Sequence, residues 1–124
     1  GDAALVKISE TFREKTRQSD FPARYGGEEF VLVLPETDQE NAVQAATKIH
    51  DAIRSSAFGT TVRPFRLTVS IGVSSTSIKF YSDWQELLRD ADHALYIAKN
   101  SGKDRMEVCE PEKQIAQSET RADP

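Results

Sequence analysis

The architecture of this chain follows from one stretch near its amino end, Ala23-Arg24-Tyr25-Gly26-Gly27-Glu28-Glu29-Phe30-Val31-Leu32-Val33-Leu34. Two short runs suited to strands flank a glycine-led turn, which is the pattern of a β-hairpin. The second run is almost entirely apolar, so we expect its strand to be buried on both faces. The remaining helices and strands are therefore predicted from the sequence on either side of this hairpin.

Helical periodicity lies on both sides of this hairpin. The helix before it buries Leu5, Ile8 and Phe12, and ends at Ser19–Pro22 because a proline disfavours helix at the residue before it. The helix after it buries a face made of Ala42, Val43, Ala46, Ile49 and Ile53. A third helix buries Trp84, Leu87, Leu88, Ala91, Leu95 and Ala98.

The remaining residues predict strands and a tail. Residues 61–74 are typical of a second hairpin, whose later half alternates with Leu67, Val69, Ile71 and Val73 on one face. Arg105–Cys109 predicts a short last strand. The order helix, hairpin, helix, hairpin, helix, strand predicts an α+β fold with helices packed on a mostly antiparallel sheet. We expect one domain over residues 1–109 and a polar tail or linker over residues 110–124.

Composition limits the classes of function. The chain has 124 residues, with 16 basic and 20 acidic side chains and a net charge of −4, which disfavours DNA or RNA as a partner. It contains no apolar run of the roughly 18 residues that a membrane helix needs. The single cysteine, Cys109, excludes an internal disulfide and is compatible with the cytoplasm. With His50 and His93 as the only histidines, and neither at ligand spacing from a partner, an all-protein zinc site is disfavoured.

The turn Gly26-Gly27-Glu28-Glu29 combines two chemical features. Backbone N–H groups in a glycine turn can hold a phosphate, and carboxylates beside a phosphate require a cation between them. Magnesium fits, because it commonly binds one or two carboxylates together with substrate phosphate and water. An ordinary turn with solvated acids is the simpler interpretation of the spacing alone, so both readings stay open at this point.

Four blocks of sequence together resemble one family. Tyr25–Phe30 resembles the signature of the GGDEF domain, the bacterial diguanylate cyclase family, in its GGEEF form. Val69–Val73, Ala91–Lys103 and the opening Gly1-Asp2 with Leu5 resemble further segments of that family in the same order. The resemblance extends over about residues 1–109 and implies the ferredoxin-like palm of nucleotidyl cyclases.

This resemblance implies a reaction and a set of site residues. The family condenses two GTP molecules into cyclic di-GMP and releases pyrophosphate, using Mg²⁺ or Mn²⁺ and an antiparallel homodimer in which each subunit holds one GTP. Glu28 matches the metal-binding acid, Glu29 matches its neighbouring signature acid, and Gly27 lets backbone lie against phosphate. Lys99 and Lys103 match basic positions that hold the terminal phosphates. Without the resemblance, both lysines would be read as favourable charges at a helix carboxyl end.

Asp2 matches a residue that reads guanine, since a carboxylate accepts from the N1–H and N2–H groups that adenine lacks. Its alternative role is the N-cap of the first helix.

Arg17-Gln18-Ser19-Asp20 is an RxxD motif separated from Gly26 by five residues, and it resembles the family's product-inhibition site for cyclic di-GMP. Arginine can donate two hydrogen bonds to guanine O6 and N7, and Asp20 would accept from the other edge. The alternative is a helix-end arginine and a turn aspartate without a ligand.

The sequence departs from the family at its amino end. The chain begins at the first helix and without methionine, whereas the family begins one strand earlier with another metal-binding aspartate. We therefore expect an amino-terminally truncated domain, inactive alone, from the cytoplasmic part of a larger signalling protein. Two alternatives remain: a catalytically inactive module that binds cyclic di-GMP or GTP, and an interaction domain without a nucleotide.

Overall fold

The computed structural model describes residues 2–109, with side chains from residue 3 onward, so the predicted tail at 110–124 lies outside the described residues. Within these described residues, three helices and six short strands follow one another: α1 Asp2–Lys15, β1 Phe21–Gly26, β2 Glu29–Val33, α2 Gln39–Ser55, β3 Phe58–Gly59, β4 Pro64–Phe65, β5 Ile71–Val73, α3 Trp84–Asn100 and β6 Met106–Val108. The strands form three two-stranded sheets, of which two are antiparallel and one is parallel.

The predicted hairpin is confirmed as β1 and β2, which pair from Phe21 with Val33 to Gly26 with Glu29. The expectation that its second strand is buried on both faces is wrong. Phe30 and Leu32 pack against the core, whereas Val33 is 52% exposed. The physical reason is that helices cover only one face of this two-stranded sheet, so the strand alternates between core and solvent.

The other local assignments need three corrections. Helix α1 ends at Lys15, before the predicted stop at Ser19–Pro22, and Pro22 instead pairs with Leu32 in the hairpin. The predicted hairpin over 61–74 is wrong, because β3 pairs with β4 and β5 pairs in parallel with β6. Trp84 is 67% exposed and not buried, since it is the first residue of α3 and extends beyond the packed part of the helix.

Aspartates start the second and third helices. The Asp38 carboxylate accepts from the backbone N–H of Asn41 at 2.9 Å, and Asp83 accepts from Glu86 at 2.9 Å. Each carboxylate satisfies one of the backbone donors that a helix leaves without an internal partner. These caps fix where α2 and α3 begin.

Two apolar clusters form the core. The first contains Ile8 of α1, Ile49 and Ile53 of α2 and Phe58, with the rings of Phe12 and Phe30 in edge-to-face contact at 5.2 Å, and the second contains Ala42, Ala46 and Val73. The predicted buried face of α2 is confirmed in these alanines and isoleucines. Within residues 2–109, no helix combines the length and apolar character that would let it cross a bilayer.

Strand β5 lies directly against α3 at Gly72. A Cβ atom at this position would lie 2.1 Å from the Ala91 carbonyl oxygen and 2.4 Å from the Leu95 nitrogen. The absence of a side chain at Gly72 is therefore what lets the strand and the helix backbone approach so closely.

A polar cluster around Asp90 joins the loop before α3, the helix itself and the end of β6. The Tyr81 hydroxyl and the Lys79 ammonium donate to Asp90 Oδ2 at 2.6 Å and 3.0 Å, and the Cys109 thiol is also hydrogen-bonded to this carboxylate. Burial alone would raise the pKa of Asp90, but these hydrogen bonds outweigh it and hold the pKa below its ordinary value. Burial, and then the Asp90 carboxylate, raise the pKa of the Tyr81 hydroxyl and of the Cys109 thiol.

This cluster predicts a particular response to acid. Because the pKa of Asp90 is lower in the folded state than in the unfolded state, its contribution to stability is present above the unfolded value of about 3.9 and is lost as the pH falls further. We expect Asp90→Asn to lower the free energy of unfolding at pH 7 by about 2 kcal/mol, since it weakens three hydrogen bonds in a mostly buried site. The free energy of unfolding, measured with denaturant at pH 7 and at pH 3, should fall less between the two pH values in Asp90→Asn than in the unchanged chain. Asp92→Asn, an exposed aspartate of the same helix, is the control, and an unchanged acid effect in Asp90→Asn would contradict the prediction.

Candidate functional site

The tip of the β1–β2 hairpin is open. Gly26 pairs with Glu29, so Gly27 and Glu28 form a two-residue turn, and Gly27 has φ +50°, in the left-handed region that favours glycine. A Cβ atom at either glycine would meet no atom within 4 Å in the described part of the chain. A ligand can therefore approach the backbone of the turn closely.

Arg24 fixes the shape of this turn. Its Nε and Nη2 atoms both donate to the Gly27 carbonyl oxygen, at 2.9 Å and 2.7 Å. The guanidinium thus spans the turn from strand to tip and holds one peptide group in a defined orientation. Residue type and spacing did not predict this backbone contact of Arg24.

The two glutamates of the turn present carboxylates to solvent. Both Glu28 and Glu29 are exposed, and within residues 2–109 neither side chain has a hydrogen-bond or ion-pair partner. Two such carboxylates fit a magnesium ion, which commonly takes one or two protein carboxylates and fills its other positions with phosphate and water. The described residues hold no group of three or more His, Cys, Asp or Glu side chains arranged for a metal. The two carboxylates would therefore supply only part of the coordination of a cation bound here.

The two predicted phosphate-binding lysines lie at one end of α3. Lys99 is in the last turn of the helix, and Lys103 follows it in a loop where its backbone N–H donates to the Ala98 carbonyl at 3.0 Å. Both lysines are exposed, and among the described residues neither ammonium has a hydrogen-bond or ion-pair partner. Both charges are thus available to an anionic ligand, and their helix-end role is equally compatible with this position.

The loop around Lys103 is held by a contact that sequence reasoning missed. His50 Nε2 of α2 lies 2.8 Å from Asp104 Oδ1, and Arg54 of the same helix lies 3.6 Å from Asp104 Oδ2. His50 and Asp104 are 54 residues apart, so no local spacing could have indicated the pair.

The RxxD residues are in contact with each other. Asp20 is almost fully buried, with 3% of its side chain exposed, and its two oxygens accept from the Arg17 backbone N–H at 2.8 Å and from Arg17 Nη2 at 3.1 Å. The same Nη2 lies 2.9 Å from the Pro35 carbonyl oxygen and 2.6 Å from Thr37 Oγ1. In this arrangement Asp20 holds Arg17 in place.

The outer part of the Arg17 guanidinium remains available. Its side chain is 57% exposed, and its Nε and Nη1 groups have no hydrogen-bond partner among the described residues. Asp2 is the first residue of α1, and its predicted contact with guanine stays a prediction. A shallow cleft at the start of α2, lined by Asp38, Val43 and Ile78 among others, contains none of the predicted site residues.

Comparison with known proteins identifies relatives along most of the chain. The family profile described as "Diguanylate cyclase, GGDEF domain" matches residues 1–105. Diguanylate cyclase DgcP of Pseudomonas aeruginosa is 39% identical over 109 residues, which cover 88% of this chain and 16% of that protein. Diguanylate cyclase DosC of Escherichia coli K12 is 32% identical over 108 residues, which cover 87% of this chain and 23% of that protein. The chain thus spans less than a quarter of the length of these two relatives.

A solved structure supports the same relationship. The active GGEEF domain of a diguanylate cyclase from Vibrio cholerae superposes with a TM-score of 0.75 at 30% identity, covering 88% of this chain and 68% of that one. This likeness confirms the predicted α+β architecture of the nucleotidyl cyclase palm.

Proposed function

Since this chain belongs to the GGDEF family of diguanylate cyclases, we propose that it is the domain that binds GTP and a divalent cation for the condensation of two GTP molecules into cyclic di-GMP. The observation that carries this proposal is the open Gly27-Glu28 turn, whose two neighbouring carboxylates have no partner among the described residues. We place the domain at residues 1–109, and residues 110–124 would be a tail or linker. The activity is proposed for the whole protein that contains the domain.

The residues of the hairpin tip would bind the charged part of the nucleotide. Gly27 lets the backbone approach phosphate, and Arg24 keeps that backbone in one orientation. Glu28, assisted by Glu29, would hold Mg²⁺ or Mn²⁺, which when bound neutralises phosphate charge and polarises the reacting groups. Without a cation, the acidic side chains would repel a triphosphate, so GTP binding at this tip should require the metal.

The remaining predicted residues would complete the nucleotide site. Lys99 and Lys103 would contact the terminal phosphates through ammonium groups that are exposed in the structure. Asp2 would accept hydrogen bonds from guanine and so select GTP over ATP. These roles are carried over from the family resemblance, and each can be tested by substitution.

The proposed reaction needs two such domains. In an antiparallel homodimer, the 3′-hydroxyl of each GTP attacks the α-phosphate of the other. At each α-phosphate a new oxygen–phosphorus bond forms and the bond to the β-phosphate breaks. Each attacking hydroxyl loses its proton, and two pyrophosphates leave. The protein contributes chiefly by positioning the two nucleotides and stabilising charge on phosphate.

Calorimetric titration with nucleotides tests this proposal directly. We expect GTP to bind the chain in the presence of Mg²⁺ with a dissociation constant at least about ten-fold lower than in EDTA, and ATP to bind far more weakly. A second measurement, whether the full natural protein forms cyclic di-GMP, distinguishes an enzyme from a module that only binds nucleotide. Equal affinity for GTP in Mg²⁺ and in EDTA, together with equal affinity for GTP and ATP, would contradict the proposal.

A second proposed function is product inhibition through Arg17 and Asp20. It is supported by the buried Asp20 carboxylate, which fixes Arg17 while the arginine side chain stays 57% exposed and its Nε and Nη1 groups have no partner among the described residues. In this arrangement Arg17 would donate to guanine O6 and N7. Asp20, predicted from the sequence to accept from the other edge of guanine, would instead hold Arg17, because its carboxylate is buried and both its oxygens accept from Arg17. The same site is what a catalytically inactive binding module would use.

Arg17→Ala should weaken binding of cyclic di-GMP to this site. We expect the dissociation constant to rise about 5- to 150-fold, because a bidentate arginine contact to guanine contributes about 1–3 kcal/mol. Calorimetry with cyclic di-GMP measures this, and Arg13→Ala, an exposed arginine of α1, is the matched control. Equal affinity of the Arg17 variant and the unchanged chain would contradict the inhibitory site.

A further inference from the structure

We propose that His50 is a positioning residue for the loop after α3, and that it thereby orders Lys103 for contact with the terminal phosphates of GTP. The inference rests on the function proposed above. It concerns a residue of α2, which lies outside the hairpin, the lysines and the RxxD motif.

The contact between α2 and the loop is direct. The Nε2 atom of His50 lies 2.8 Å from Asp104 Oδ1, with 14% of the histidine side chain and 29% of the aspartate side chain exposed. Arg54, one turn further along α2, lies 3.6 Å from the second oxygen of Asp104. Asp51, which is 71% exposed, lies 3.6 Å from His50 Nδ1 on the other side of the ring. The imidazole therefore sits between two carboxylates, of which the less exposed one belongs to the loop.

The loop has a backbone that needs such support. Gly102, Lys103 and Asp104 have φ values of +116°, +61° and +50°, so three consecutive residues are in the left-handed region. For residues other than glycine this conformation is unfavourable and persists where surrounding contacts hold it. Within the loop, the Lys103 N–H bonds to Ala98, and the Lys103 carbonyl accepts only a long contact of 3.4 Å from Arg105 Nε. The His50–Asp104 hydrogen bond is the short side-chain contact that ties this backbone to another element.

The consequence concerns Lys103. Its side chain is long, exposed and has no partner among the described residues, so the backbone is what limits where its ammonium can reach. Ordering the backbone in advance lowers the entropy that must be lost when the ammonium binds a phosphate. Releasing Asp104 from His50 should therefore weaken contacts to the terminal phosphates and leave contacts to the base unchanged.

The experiment compares GTP with guanosine monophosphate, which lacks the terminal phosphates. Both are titrated calorimetrically, with Mg²⁺, into the chain and into His50→Ala, His50→Gln and His93→Ala. We expect His50→Ala to bind GTP about five-fold more weakly and guanosine monophosphate equally well. His50→Gln, which retains an N–H donor, should recover most of the GTP affinity. His93→Ala, in which an exposed histidine of α3 is removed, should match the unchanged chain.

Each outcome decides the inference. If the unchanged chain binds GTP no more tightly than the monophosphate, the proposed function fails and this inference fails with it. If the chain prefers GTP and His50→Ala keeps that preference, or loses affinity for both nucleotides equally, positioning by His50 is overturned while the proposed function stands. Hydrogen exchange gives a readout without nucleotide, because the Lys103 amide should exchange faster in His50→Ala and at its normal rate in His93→Ala.

Discussion

Gly72→Ala is expected to unfold the domain, or to bring it close to unfolding, at room temperature. The added Cβ would lie 2.1 Å from the Ala91 carbonyl oxygen, 2.4 Å from the Leu95 nitrogen and 2.9 Å from Leu95 Cα. All three atoms belong to the backbone of α3, so no side-chain rotation relieves the overlap. The helix would have to move away from β5 by roughly 1 Å, which would loosen the packing around Val73.

We expect this change to lower the free energy of unfolding by more than about 3 kcal/mol, from a total that is typically 5–15 kcal/mol. Denaturant unfolding followed by circular dichroism measures it. Gly26→Ala is the matched control, because a Cβ at Gly26 meets no atom within 4 Å in the described chain and should change stability by less than about 1 kcal/mol. A Gly72→Ala chain with the unfolding midpoint of the unchanged chain would show that β5 and α3 do not pack as described.

Glu28→Gln should abolish the activity proposed for this domain. Glutamine keeps the shape of the side chain but loses the negative charge that would hold the metal. In the full natural protein we expect formation of cyclic di-GMP from GTP and Mg²⁺ to fall at least about 100-fold, the order of magnitude seen when one preorganised electrostatic contact to a transition state is lost. In the chain described above, the same substitution should remove the Mg²⁺ dependence of GTP binding.

The loss should occur without a change in folding. Glu28 is exposed and its side chain has no partner among residues 2–109, so the unfolding midpoint of Glu28→Gln should be that of the unchanged chain. Glu10→Gln, an exposed glutamate of α1, is the matched control and should leave product formation unchanged. Product formation by Glu28→Gln within a few-fold of the unchanged protein would show that Glu28 does not hold the essential metal.

Local sequence patterns predicted the local parts of the fold. The β1–β2 hairpin follows from a glycine turn between apolar runs, and the buried face of α2 follows from three–four spacing, so both were confirmed. The pairing of β5 with β6 was missed because parallel strands are joined through α3, and alternation in β5 says nothing about its partner. Trp84 was assigned to the core because periodicity cannot show where the packed part of a helix ends.

The same limit applies to the candidate site, where local patterns indicate some residues but contacts between distant residues cannot be inferred from the sequence. The turn residues Gly27 and Glu28 could be predicted as site residues because they are contiguous in a stretch that resembles a family signature, and their roles stay predictions. The role of Arg24 at the turn, the burial of Asp20 and the pairing of His50 with Asp104 depend on how side chains meet in three dimensions. Residue type and spacing alone could not supply them, since each could equally have been a solvated surface charge.

The Arg24–Gly27 contact also has a consequence for how the protein folds. It joins residues only three apart, inside a hairpin whose strands are adjacent in sequence, so the turn can form on the microsecond scale of an isolated hairpin, about 1–10 μs. The parallel pair β5–β6 must first close a loop that contains all of α3, which makes it the slower, higher-contact-order step. The glycine–glutamate tip would then reach its final geometry while the core beneath it is still assembling.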